Sequence, residues 1–180
     1  MANLSDKLLR QAFQARRENR HADAERDLIE AVGVCRTNGA RPELARALTA
    51  LGQVERDRHR GEAALHCYEE AVGLYRVEGD ALRLAHTVRH VGDIHREAGR
   101  PDLAGACYHE ALGIYRSHAE TPPLDLANAI RGLAILKSDT ADAEAARALW
   151  EEARDLYAAV NVKAGVAESN RRLALLERRH

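Results

Sequence analysis

Aromatic side chains are scarce in this sequence of 180 residues, with one Phe, one Trp and five Tyr, and proline numbers only four. A chain so poor in aromatic and β-branched residues is ill suited to β-sheet, and its abundant Ala, Leu, Arg and Glu favour helix. The three cysteines, Cys35, Cys67 and Cys107, are odd in number and show no CxxC spacing. They read as reduced thiols, not as a disulfide framework. No apolar run reaches the roughly 18 residues of a membrane span, and Met1 to Asp6 carries neither a basic nor an apolar leader segment. The expected location is cytoplasmic, without a membrane partner. Charge of one sign is lacking too: 27 basic and 28 acidic side chains leave a formal net charge of -1. Nothing global therefore draws the chain to nucleic acid. Arginine far outnumbers lysine, as in GC-rich bacterial genomes. No Gly-rich phosphate loop, HExxH or GxSxG occurs, so no catalytic residue is assigned and no cofactor is expected.

What is present is a repeat. Leu44 to Val54 recurs forty residues later as Leu84 to Ile94, and again as Leu126 to Leu136. A weaker copy begins at Leu4, and a last half copy runs from Val166 to Leu176. A second segment repeats in step: Ala64 to Val72 matches Ala104 to Leu112, with outer copies at Ala24 to Val32 and Ala146 to Arg154. Both segments place apolar residues at i, i+3, i+4 and i+7, so each unit reads as a hairpin of two amphipathic helices. Helix stops fall at Asn19, Gly39, His59, Gly79 and Gly99, where a left-handed residue suits the chain reversal, while Pro42, Pro101 and Pro122 mark starts. The fold class expected is all-α, four hairpins over 4-38, 42-79, 81-119 and 122-160, closed by a capping helix at 164-178, in a single domain spanning 1-180.

The small residues Gly52, Gly92 and Ala134 on the first helices, with Ala64, Ala104, Ala146, Ala71, Ala111 and Ala153 on the second, resemble the tetratricopeptide repeat family. So do the bulky Tyr68, Tyr108 and Trp150 between hairpins. The repeat length is similar to that of kinesin light chains and bacterial regulatory members. The resemblance implies a right-handed solenoid and a non-catalytic scaffold for a protein or peptide partner. It also implies that first helices line the binding face. Carried over position by position, that face includes Phe13, Arg46, Gln53, Arg56, His86, Arg89, His90, Asp93, Arg96, Asn128 and Arg131. Thr49 and Leu9 fall on it as well. Peptide-binding relatives often carry Asn just before the Leu-Gly pair; here Ala50, His90 and Gly132 stand there, so an asparagine ladder is not expected.

Arginines dominate the implied face, and Arg can hold carboxylates in bidentate pairs, so an acidic segment or carboxylate is the expected ligand. The plainer account is a solvated helix face whose arginines pair with Asp57, Asp93, Glu97 or Glu168. Two alternatives stand beside these. The N-terminal hairpin can self-associate into a homodimer through Leu4, Leu8, Leu9 or Phe13. His86 and His90, one turn apart with Asp93 following and Ala50 and Gly132 leaving space, can form a metal-binding sensor or enzyme site. His66 beside Cys67 is no nucleophile and base pair, because adjacent helical residues point about 100° apart. Tyr75, Tyr115 and Tyr157 recur in step and read as packing between repeats.

Overall fold

The structure, a computed structural model, describes residues 4–178. Residues 1–3 and 179–180, which the sequence reading includes in the repeat domain, lie outside the described residues. Among the described residues there are nine helices and no strand: α1 (Leu4–Arg17), α2 (His21–Asn38), α3 (Arg41–Asp57), α4 (Gly61–Glu78), α5 (Ala81–Glu97), α6 (Pro101–Ser117), α7 (Pro123–Asp139), α8 (Ala143–Ala159) and α9 (Lys163–Glu177). These are the expected hairpins and closing helix, each end within two residues of its sequence position. None of the described helices is long and apolar enough to cross a membrane.

The turns explain the agreement. Asn19, Gly39, His59, Gly79 and Gly99 all have φ between 58° and 71°, the left-handed region. After three of them an arginine N–H reaches back to the preceding helix: Arg20 to the Ala15 carbonyl at 2.8 Å, Arg60 to Glu55 at 2.9 Å and Arg100 to His95 at 2.9 Å. Ala141 also adopts φ 60°. Nothing in the sequence marks it, because alanine has no special tolerance for that region.

The chain divides into two compact units, Met1–Thr87 and Val88–His180, with the division inside α5. In the first, α1 pairs with α2 and α3 with α4, α2 packs on α3, and α1 also meets α3. Alanines 24, 31, 45, 64 and 71 are fully buried, which lets these helices approach closely around Leu9, Leu28, Leu48 and Val54. The Tyr68 ring lies on Gly52: a Cβ there would sit 2.6 Å from Tyr68 Cε1. Arg60 bonds both Glu55 and Glu25, and Arg58 also reaches Glu25, so a buried carboxylate at Glu55 is neutralised where α3 turns into α4.

In the second unit α6 packs on α7, α7 on α8 and α8 on α9. Tyr108 is wholly buried, its ring against both Gly92 and Gly132. The closing helix has the covering role its apolar residues imply: Leu173 and Leu176 are buried with Ala134, Ile135, Ala146 and Trp150.

Candidate partner-binding groove

On the first unit, five of the expected residues come together. Phe13 from α1, Arg46, Thr49 and Gln53 from α3, and His86 from α5 line a groove of about 270 Å³ with Ala50, Tyr75, Arg83 and Thr87. The helical period puts Arg46, Thr49, Ala50 and Gln53 on one face of α3. Phe13 is 39% exposed. Gln53 accepts a hydrogen bond from Arg16 Nη1 at 2.8 Å, and its Nε2 lies 3.5 Å from His86 Nε2. Thr49 donates to the Ala45 carbonyl at 2.9 Å and meets the Thr87 hydroxyl at 3.4 Å. Burial raises the Tyr75 phenol above its ordinary range, so it stays protonated. Arg83 is held by Asp80, whose carboxylate also caps the Arg83 N–H at 3.1 Å. Arg46 is exposed and has no carboxylate partner among the described residues. The groove thus combines an apolar floor with one uncommitted guanidinium.

On the second unit the expected residues form closed pairs. Arg89 donates to Asp93 at 3.0 Å and to His90 Nε2 at 2.8 Å, and the Tyr108 hydroxyl donates to Asp93 at 2.8 Å. Because a guanidinium only donates, His90 Nε2 accepts here and its proton resides on Nδ1. Arg131 grips Glu168 with two bonds of 2.7 and 2.8 Å, which hold the Glu168 carboxyl below its usual range. Asn128 accepts from the Tyr157 hydroxyl at 2.8 Å. Arg96 lies 3.5 Å from Glu97, and Arg56 is half-buried among contacts of its own, outside the groove.

Several sequence expectations are corrected by this geometry. The metal reading of His86, His90 and Asp93 fails: Asp93 is occupied by Arg89 and Tyr108, and among the described residues no three potential ligands gather. The space expected at Gly132 is filled by the Tyr108 ring. Leu8 and Leu9 are buried in the core, so neither offers a docking surface, whereas Leu4 is 49% exposed. The pairing partners named in the plainer account are the ones observed: Arg16 with Asp57, Arg89 with Asp93, Arg96 with Glu97 and Arg131 with Glu168.

Sequence reasoning missed Arg83 and Tyr75 as groove residues. The available signal was the repeat register: Thr49 stands where the later repeats have Arg89 and Arg131, and a small residue among large ones marks an opening. A second cavity, about 390 Å³ between α6 and α7, is floored by Leu133 and Leu136 and contains none of the expected residues; its Lys137 pairs with Asp142 at 2.9 Å. Cys35 and Cys67 are buried, and burial together with Glu55 and Glu70 pushes the Cys67 thiol up to about 11. Such a thiol is an inert packing group at neutral pH.

Residues 44–117, from α3 through α6, match the tetratricopeptide repeat family. The fold is similar to a crystal structure of BtubC (BKLC) from P. vanneervenii, at 21% identity and a TM-score of 0.78, covering 87% of this chain and 64% of that one. It is also similar to the apo form of RapI, at 12% identity and a TM-score of 0.83, covering 92% of this chain and 60% of that one. The chain spans less than two thirds of either neighbour. No curated protein matches it. The tetratricopeptide repeat match thus covers the central hairpins, and the helical fold of both neighbours extends over most of the chain on either side.

Proposed function

We propose that residues 1–180 act as one repeat domain, a non-catalytic scaffold that holds a protein or peptide partner, and that the groove of the first unit receives an acidic segment or carboxylate of that partner. Phe13, Arg46, Gln53 and His86 are the contact residues. The observation that carries this reading is Arg46, an exposed guanidinium with no carboxylate partner among the described residues, set beside the half-exposed ring of Phe13. Arg89 and Arg131, already committed to Asp93 and Glu168, play a structural part.

A displayed peptide library panned against the chain tests the reading. Enriched peptides should carry Asp or Glu beside an apolar residue. Arg46→Ala should weaken them roughly tenfold, about 1.4 kcal/mol, as expected for a charge-assisted contact at a partly exposed site. Peptides without acidic residues, or undiminished binding by the variant, would overturn it.

A further inference from the structure

The chain contains its own example of a carboxylate held between successive first helices. Arg131 of α7 grips Glu168 of α9 through both guanidinium edges. Stepping back by the repeat, Arg131 corresponds to Arg89 and then Thr49, and Glu168 corresponds to Asn128 and then His86. In the first unit neither member of that pair is retained. Thr49 is short and His86 carries no negative charge, so the register position that is filled in the second unit opens into the groove, with Arg46 and Arg83 as its cationic walls.

We propose that this groove accepts a single Glu or Asp side chain from within a partner peptide, placed where Glu168 sits in its own repeat. Arg46 provides the fork that Arg131 provides there. The residue next to that carboxylate rests an apolar side chain on Phe13 and Ala50. The proposal depends on the groove being the partner site and adds the chemistry of what enters it. A side-chain carboxylate is favoured over a chain terminus because the internal example is one, delivered from the middle of a helix. The Arg83 bond to Asp80 leaves further donors free on its guanidinium, which can supply a second contact.

The test is an NMR titration of the full chain with three peptides. One is a blocked hexapeptide with Leu-Glu at its centre, the second its Leu-Gln counterpart, and the third a peptide ending in a free Leu carboxylate. The Leu-Glu peptide should shift the amides around Thr49 and His86 and bind at least roughly tenfold more tightly than the other two. His86→Glu supplies an in-chain acid at the Glu168 position. It should weaken the Leu-Glu peptide about tenfold more than the Leu-Gln peptide and keep the helical circular dichroism unchanged, while His86→Gln, which removes the imidazole contact without adding charge, should weaken both peptides alike. Equal binding of the Gln and Glu peptides, preference for the free terminus, or a His86→Glu chain that binds normally would each overturn the proposal while the groove stands as a partner site. Should none of the peptides perturb the groove, the partner-site reading falls with it.

Discussion

Glu168 receives two hydrogen bonds from Arg131 and keeps a side-chain exposure of 21%, against 40% for the arginine. Those bonds outweigh the desolvation that opposes them and lower the carboxyl pKa from 4.5. A carboxyl depressed in the folded state contributes stability that is complete above its unfolded pKa and lost as pH falls through the folded value. Glu168→Gln should therefore cost about 1 kcal/mol near neutral pH, since the pair is bidentate but partly solvated. Urea denaturation of parent and variant should show that difference shrinking once the pH falls below the ordinary carboxylate range and vanishing only below the depressed folded value. A difference that persists in acid would assign the loss to packing instead of charge. The same residue scale sets what reading by sequence can reach. That Arg131 corresponds to Arg89 follows from the repeat register; that Glu168, on another helix, captures it depends on how α7 and α9 pack.

At the level of the helix, glycine has two opposite roles in this chain. Gly33, Gly73 and Gly113 occupy one register position on α2, α4 and α6, all exposed, and a Cβ at any of them would meet nothing within 4 Å. Alanine at each should stabilise the chain by about 0.8–1 kcal/mol, the propensity difference in an exposed helix interior. At Gly52 and Gly132 the same change drives a methyl to 2.6 Å from the buried Tyr68 or Tyr108 ring, so it should destabilise by roughly 1–3 kcal/mol. Chemical denaturation of the single variants checks both signs. The sequence distinguishes the two sets, because Gly52 falls at the family's close-packing position and the outer glycines do not. What it does not disclose is that Gly132 belongs with Gly52: Tyr108 reaches it from α6, an assignment that needs the packed hairpins.

For the whole molecule, the repeat made the architecture legible, since each hairpin restates the same apolar pattern and the same turn residues. The candidate groove was legible only in outline. Phe13, Arg46, Gln53 and His86 do converge, but of the arginines expected beside them Arg89, Arg96 and Arg131 each pair with an acid of their own unit, and Arg56 lies outside the groove. The consequence concerns salt. Had those four arginines faced one acidic ligand together, affinity would fall steeply with ionic strength. With one or two cations engaged, raising salt from about 0.05 to 0.5 M should weaken an acidic peptide only severalfold, because only one or two exposed charges are being screened. A loss of a hundredfold, measured by titration at the two salt levels, would mean that more arginines reach the ligand than Arg46 and Arg83.

Trp150 is the sole tryptophan, fully buried in the second unit, its indole N–H 3.2 Å from Ser138 Oγ and Arg172 5.8 Å above its ring. Its emission is therefore a built-in optical probe of α7, α8 and α9, while helical ellipticity averages over all the helices. Melting curves recorded both ways on one sample compare the tryptophan's hairpin with the rest of the solenoid, and no label has to be introduced.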